Sequence, residues 1–224
     1  MSERLNKYLA FQLGVSRREA DTLIERGLVT VNGDKAILGS RFEKGQKVTV
    51  RGKTLGTDAT YEYLAFNKPV DYVSSRRQQG DTPTIYSLIP EQYHHLKPVG
   101  RLDRESSGIL LLTNDGDFAY EMTHPKFYKV KVYEVSLDHA LEPLHQQMVN
   151  DHGIQLDDGE SKLTLERRDD SRLNWIVTMH EGRNRQIRRT FDALGYTVVA
   201  LHRTNFGNYA LGDLETGNIQ RIQK

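Results

Sequence analysis

The sequence contains no cysteine among its 224 residues, and this absence removes several kinds of chemistry. Disulfide bonds, thiol catalysis and cysteine-ligated metal sites are all excluded. The eight histidines do not compensate, because they are scattered along the chain. His94 and His95 are adjacent, and His180-Glu181 has no second histidine one helical turn further on. Neither has the spacing of a metal-binding pair, so we expect no metal site.

Long hydrophobic runs are also missing. No apolar stretch approaches the roughly 20 residues needed to cross a bilayer. The N-terminal residues Met1-Ser2-Glu3-Arg4 lack the apolar core of a signal peptide. We therefore expect a soluble, cytoplasmic protein without membrane attachment. Hydrophobic residues still make up 37% of the chain, which suffices for one large core or for a small and a medium one.

Net charge is nearly absent, at +1, but it is unevenly distributed. Residues 1–52 hold 10 basic and 6 acidic side chains, a net charge of +4, and the remainder of the chain has a net charge of −3. Such an asymmetry is typical of a segment that contacts a polyanion. An ordinary solvated surface explains the charge equally well.

The first fifty residues carry signals for two helices packed on a small sheet. Apolar residues at helical spacing begin at Leu5 and are interrupted at Gly14, which predicts the first helix. Ser16 and Glu19 have the spacing of a capping box, which predicts a second helix that ends at Gly27. The other predicted elements are strands over 28–31 and 48–50 and a tight turn at Asn32-Gly33.

Basic residues cluster near the starts of these two helices. Because free backbone N–H groups and basic side chains can bind phosphates together, we predict an RNA-binding role for this cluster. Its members are Arg4, Lys7, Arg17 and Arg18.

The rest of the chain has the pattern of a mixed α+β domain in which the sheet is largely antiparallel. We expect domains over 1–52 and 61–224, joined by a polar linker over 53–60. In the stretch 128–137 apolar and polar residues alternate, which places Tyr133 on one strand face with Lys129 and Lys131. Further predicted strands cover 61–66, 109–112, 161–165 and 173–178, and predicted helical segments cover 118–122 and 140–149.

One carboxylate, Asp103, stands between Arg101 and Arg104 just before the apolar run 109–112. Guanidinium groups favour the charged form of a neighbouring carboxylate, which can then attack or accept a proton. The alternative is that Asp103 only caps a turn or pairs with its neighbours.

A second basic cluster lies at 180–189, where Arg183, Arg185, Arg188 and Arg189 open a predicted helix that ends at Gly195. So many like charges within two turns repel one another unless an anion or a carboxylate offsets them. Phosphate binding and a solvated basic helix are equally good interpretations from these residues alone.

Taken together, these segments resemble two known families in succession. The first fifty residues resemble the RNA-binding domain known from ribosomal protein S4, through Arg4-Leu5-Asn6-Lys7-Tyr8 and Ser16-Arg17-Arg18-Glu19-Ala20. The longer part resembles the pseudouridine synthases, most of all the ribosomal small-subunit type that carries an S4-like domain. The matching motifs are Gly100-Arg101-Leu102-Asp103 with Gly108 and Leu110 to Gly116, Lys131-Val132-Tyr133-Glu134-Val135, and Glu181-Gly182-Arg183 with Arg185-Gln186-Ile187-Arg188-Arg189.

The resemblance implies an enzyme that isomerises a uridine of ribosomal RNA without a cofactor. It assigns Asp103 as the catalytic aspartate, Tyr133 as the aromatic residue against the flipped-out base, and Arg188 as the basic partner of the aspartate. Arg101, Arg183 and Arg185 are expected to contact RNA.

Several questions stay open at this point. Asp103 could act as a nucleophile at the anomeric carbon or remove a sugar proton to give a glycal. We expect a monomer whose partner is ribosomal RNA or a ribosomal subunit assembly intermediate. The alternatives are a catalytically silent RNA-binding or ribosome-assembly protein and an RNA nucleosidase that releases uracil.

Overall fold

A computed structural model describes residues 2–56, 60–76, 78 and 80–224. The chain divides into two compact units, Met1–Glu62 and Tyr63–Lys224. Among the described residues, no helix combines the length and the apolar character needed to span a bilayer.

The described residues of the N-terminal unit form two helices and six short strands. Its helices bury an apolar cluster that includes Leu5, Leu9 and Ile24 against Val29 and Val48 of the sheet. The elements are β1 (Ser2–Arg4), α1 (Leu5–Leu13), α2 (Arg17–Glu25), β2 (Val29–Val31), β3 (Asp34–Lys35), β4 (Arg41–Glu43), β5 (Val48–Val50) and β6 (Lys53–Thr54).

Local sequence signals determine this unit, and the structure confirms the helices predicted from them. Helix α1 ends at Gly14, whose φ of 67° is the left-handed conformation that glycine adopts readily. Helix α2 starts after Ser16, and the reciprocal capping box with Glu19 is formed. The predicted strands at Val29–Val31 and Val48–Val50 pair with each other in antiparallel register.

The C-terminal unit is a mixed sheet flanked by short helices. In chain order its elements are β7 (Tyr63–Lys68), β8 (Lys97–Pro98), β9 (Ser107–Thr113), α3 (Gly116–Thr123), β10 (Lys131–Leu137), α4 (Pro143–Gln147), β11 (Ile154–Leu156), β12 (Gly159–Ser161), β13 (Thr164–Arg167), β14 (Asn174–Met179), α5 (Gln186–Asp192), β15 (Val198–Phe206), β16 (Tyr209–Ala210) and β17 (Ile219–Arg221).

The central sheet has the order β13-β14-β10-β15-β9-β7-β17, and β8 and β16 pair with β9 and β15. Only the pairing of β15 with β9 is parallel among the strand pairs of the described residues. The predicted α+β class with a mainly antiparallel sheet is therefore confirmed. Both faces of the sheet are covered by apolar clusters, and the larger one contains Trp175, Phe66 and Phe191.

Several predicted segments differ from the structure. Lys53 and Thr54, expected in the linker, form β6 because they pair with Val50 and Thr49, while 57–59 of that linker lie outside the described residues. The expected strand over 161–165 is two strands, β12 and β13. The expected helix over 140–149 is the short α4, which begins at a proline and continues into a π-helical turn at Met148–His152.

Candidate active site

A pocket of about 230 Å³ opens on the C-terminal unit. It is smaller than the roughly 300–1,000 Å³ typical of ligand sites, which suits a compact planar group such as one base. The pocket is lined by the loop around Asp103, by β10 and β15, and by the segment that leads into α5. Three predicted catalytic residues, Asp103, Tyr133 and Arg188, all line it.

Hydrogen bonds from two buried side chains, Lys68 and Ser74, fix the main chain on both sides of Asp103. Lys68 is fully buried at the end of β7, and its Nζ donates to the carbonyls of Asp103 at 3.1 Å and of Ser106 at 2.8 Å. Ser74 exchanges hydrogen bonds with the backbone of Leu102, at 2.9 Å and 3.2 Å. Because the backbone is held in this way, the carboxylate of Asp103 extends from a loop with little freedom to move.

Lys68 was not among the residues predicted to belong to the site. Burial is the main cause that lowers the pKa of Lys68 to about 8, and Asp103 opposes this shift. A buried lysine is rarely tolerated unless its hydrogen bonds are satisfied, and here three carbonyl oxygens accept from it. A lysine at the end of the apolar strand 61–66 was the signal that could have identified it.

Arg185 is the ion-pair partner of the two acidic residues of this loop. Its Nη1 lies 2.8 Å from Glu105 Oε2 and 3.9 Å from Asp103 Oδ2. The hydrogen bond from Arg185 lowers the pKa of Glu105. Arg185 has a positive φ of 48° and precedes α5, so it lies outside the helix that it was predicted to join.

Arg188 does not form the direct ion pair expected of it. Its Nη1 donates to the carbonyl of Val198 at 2.7 Å, and its Nη2 donates to the carbonyl of Glu105 at 3.0 Å. Within the described residues, Arg185 is the guanidinium within ion-pair distance of Asp103. Burial lowers the pKa of Arg188, and the charges of Glu105 and Asp103 oppose this shift. Through its two carbonyl acceptors Arg188 connects the carboxylate loop to β15.

Arg183, predicted to contact RNA, is bound mainly to the protein itself. Its guanidinium donates to the carbonyls of Asp158, Gly159 and Glu160 and forms an ion pair of 2.7 Å with the Asp158 carboxylate. Arg189 also pairs with Asp158, at 2.7 Å. The β11–β12 hairpin therefore supplies carboxylates that offset the charges of Arg183 and Arg189. Arg101, by contrast, is exposed at the rim of the pocket.

Tyr133 faces the pocket from β10, and Arg203 lies opposite it on β15. Arg203 is 3% exposed, donates from Nε to the carbonyl of Ile109 at 2.9 Å, and places Nη1 3.5 Å from the Tyr133 hydroxyl. Lys131 lines the same pocket and donates to the Glu181 carbonyl at 3.1 Å. Lys129, expected on this face, instead pairs with Glu121 at 2.8 Å. Sequence reasoning missed Arg203.

Gly108 allows β9 to approach β15 closely under the pocket. Its φ is 105°, and a Cβ at this position would lie 2.2 Å from the carbonyl oxygen of Arg203. No side chain fits at that distance, so this position requires glycine. The close approach fixes the backbone of Arg203 beside the loop that carries Asp103.

The basic residues predicted to bind RNA in the N-terminal unit lie at the helix starts, as expected. Arg4 precedes α1, and Arg17 and Arg18 open α2; all three are exposed. Asn6 hydrogen-bonds to Asp21 at 2.9 Å and accepts from Arg17 at 3.4 Å, which holds the two helix starts together. Lys7 forms an ion pair with Glu3 at 3.2 Å.

Comparison with protein-family models assigns both units. Residues 62–193 match the family of RNA pseudouridylate synthases, and residues 3–48 match the S4 domain. The chain belongs to the RNA pseudouridylate synthase family. This membership confirms the predicted resemblance of the longer part of the chain to the pseudouridine synthases, and the S4 match confirms that of the first fifty residues.

Individual relatives of this pseudouridine synthase extend over nearly its full length. A ribosomal large subunit pseudouridine synthase B of Bacillus subtilis is 33% identical over 98% of this chain and 92% of the relative. A ribosomal small subunit pseudouridine synthase A of Pasteurella multocida is 35% identical over 94% of this chain and 91% of the relative. A crystal structure of a pseudouridylate synthase, 30% identical, superposes with a TM-score of 0.69 over 98% of this chain and 96% of that chain.

Proposed function

We propose that this protein isomerises a specific uridine of ribosomal RNA to pseudouridine. The observation that carries the proposal is the carboxylate of Asp103, held by its main chain at the mouth of a base-sized pocket that Tyr133 lines. The names of the relatives support ribosomal RNA as the substrate, with large-subunit and small-subunit enzymes among them. The comparisons give no support to a catalytically silent protein.

The reaction follows from the chemistry of the site. The target nucleotide leaves its stack so that its base can enter the pocket. Asp103 then attacks the anomeric carbon, or removes a sugar proton, while the bond from that carbon to N1 of uracil breaks. The freed base turns, its C5 bonds to the sugar, and C5 loses its proton. No atoms or electrons are gained or lost overall, so the net reaction requires no cofactor.

The surrounding residues have separable roles in this proposal. Tyr133 supplies the aromatic surface for the extruded base and a hydroxyl for the proton at C5. Lys68 and Arg188 position the carboxylate loop through its main chain, and Arg185 orients the carboxylate of Asp103. Arg101 contacts the RNA backbone at the rim of the pocket.

The N-terminal unit docks on the RNA through the exposed cations at its helix starts. Basic side chains at helix starts can bind phosphates, and Arg4, Arg17 and Arg18 are exposed at such positions. We propose further that the enzyme acts as a monomer in the cytoplasm, on free ribosomal RNA or on an assembling subunit.

Mapping pseudouridines in ribosomal RNA from cells with and without this protein tests the proposal. We expect one modified position to become uridine when the protein is absent and to be restored when the gene is returned. An unchanged map would contradict it, and free uracil with an abasic site would indicate a nucleosidase.

A further inference from the structure

The pocket is also lined by two cations without an adjacent counter-ion, the buried Arg203 and the half-buried Lys131. Within the part of the chain that the structure describes, no carboxylate lies at ion-pair distance from either one. Burial and the neighbouring charge of Arg203 lower the pKa of Lys131 to about 8, and Glu181 opposes the shift. The Nη2 of Arg203 is buried and has no hydrogen-bond partner. Such a donor is costly unless something offsets it.

A β-bulge creates this arrangement. Val132 on β10 pairs with Asn205 on β15, but the next residue, Tyr133, pairs with Arg203, so one residue of β15 is left over. The extra residue reverses the alternation of side chains along β15 and brings Arg203 to the same face as Phe206. The guanidinium then lies 4.7 Å from the Phe206 ring and 5.9 Å from the Tyr133 ring.

Charge moves during the reaction that we propose for this pocket. Before the reaction the negative charge is on Asp103, at the mouth. When the bond between the sugar and N1 breaks, its electron pair leaves with the base as the uracil anion. Asp103 becomes a neutral ester if it attacks the sugar, or a neutral acid if it removes a proton. One unit of negative charge therefore passes from the mouth of the pocket to the base.

The geometry points to Arg203 and Lys131 as a cationic floor that stabilises the detached uracil anion and retains it while it turns. Lys131 is half-buried and lines the pocket, so its ammonium can contact the base. Arg203 is buried, so it does not contact the base. It stabilises the uracil anion through its charge and through its contact with the Tyr133 hydroxyl. Preorganised cations at the site where charge develops lower the barrier more than cations that must be recruited from solvent.

This inference rests on the proposed isomerisation. A substrate whose departing base is a more stable anion tests the inference separately from the isomerisation. Fluorine at C5 makes uracil a more stable anion, so cleavage of the bond to a 5-fluorouridine at the target position depends less on the floor. Fluorine cannot leave C5 as the proton does, so this substrate stops at the C5-linked fluorinated adduct, and the assay follows loss of 5-fluorouridine rather than formation of pseudouridine. Lys131→Met should slow loss of the target uridine about 100-fold under single-turnover conditions. The same variant should slow loss of 5-fluorouridine less than about tenfold. Nuclease digestion and chromatography of the nucleosides measure both rates.

Two further variants separate charge from structure. Lys131→Arg keeps the cation and should recover most of the rate lost in Lys131→Met. Arg168→Met removes a cation that pairs with Glu134, three positions after Lys131 on β10, and it should leave the ratio of the two substrate rates unchanged. The cationic floor would be overturned if Lys131→Met lost the same fraction of its rate on both substrates, or if Lys131→Arg recovered none of the rate. In either case an active wild-type enzyme would still support the isomerisation. A wild-type enzyme that converts neither substrate would overturn both.

Discussion

The arginines of the two units differ in what they bind. In the N-terminal unit, Arg4, Arg17 and Arg18 are exposed at helix starts. In the C-terminal unit, Arg183 and Arg188 donate to backbone carbonyls of the protein, and Arg183 also pairs with a carboxylate. The density of arginine is therefore a poor guide to RNA contact. The first set is available to a polyanion, whereas the second set holds the walls of the pocket in place.

Carboxylates from a distant part of the chain reduce the repulsion among the arginines at 183–189. The β11–β12 hairpin brings Asp157 and Asp158 to Arg189, at 2.6 Å and 2.7 Å, and Asp158 also pairs with Arg183. In the sequence these acidic residues are more than 20 positions away from the basic cluster. Only the folded chain shows that Arg183 and Arg189 are paired with carboxylates of the protein itself.

Replacing Arg183 should give the largest effect on folding. Arg183→Met leaves the acceptors at Asp158, Gly159 and Glu160 without their donor, and we expect the free energy of unfolding to fall by about 3 kcal/mol. Urea denaturation monitored by circular dichroism measures it. Arg101→Met is the matched control, because Arg101 is exposed, and it should change stability by less than about 0.5 kcal/mol. An equal loss of unfolding free energy in the two variants would contradict the conclusion that Arg183 holds the fold together whereas Arg101 does not.

Removing the exposed arginines should weaken RNA binding without loss of stability. For the triple variant Arg4→Gln, Arg17→Gln, Arg18→Gln we expect affinity for ribosomal RNA to fall roughly 50-fold at physiological salt. The slope of log affinity against log salt should decrease by about 2 to 3. Fluorescence anisotropy over a salt series measures both.

A control triple variant separates location from net charge. Lys35→Gln, Lys44→Gln, Lys53→Gln removes the same charge from exposed positions away from the helix starts. We expect a clearly smaller change in the salt slope. Identical slopes for the two triple variants would show that only the overall charge of the unit matters.

The buried Lys68 should give the smallest effect, seen in the pH dependence of stability. Its pKa is about 8 in the folded protein and has the ordinary, higher value in the unfolded chain. Between these values the unfolded chain binds more protons, so the free energy of unfolding rises with pH. We expect a gain of about 1 kcal/mol from pH 8 to 9 in the wild type relative to Lys68→Met. Parallel curves for the two proteins would contradict a lowered pKa.

Local signals in the sequence predicted much of the fold. Helices α1 and α2 follow from apolar spacing, the Ser16 capping box and the glycine at position 14, all within a few residues of one another. The residues of the pocket floor could not be predicted in this way. Arg203 is 70 positions from Tyr133, and a bulge in the β10–β15 pairing sets which face it occupies. No local pattern reports a bulge between distant strands.

The partners of Asp103 show the same limit. Asp103 lines the pocket, as its motif at 100–103 led us to expect. The sequence could not show, however, that Arg185 and not Arg188 is the guanidinium within ion-pair distance of Asp103. The two arginines are three positions apart, and Arg185 has a left-handed backbone conformation just before α5, which no local sequence signal indicates. The role of Lys68 beneath the loop depends on tertiary burial that periodicity does not show.

The most direct test of the account is the activity of Asp103→Asn on the ribosomal RNA that the wild type modifies. The substitution keeps the size of the side chain and removes its charge. We expect formation of pseudouridine to fall by roughly a thousandfold or more, because no other group replaces the carboxylate, while RNA affinity stays within about twofold of the wild type. Full activity of Asp103→Asn in a single-turnover assay would contradict the account.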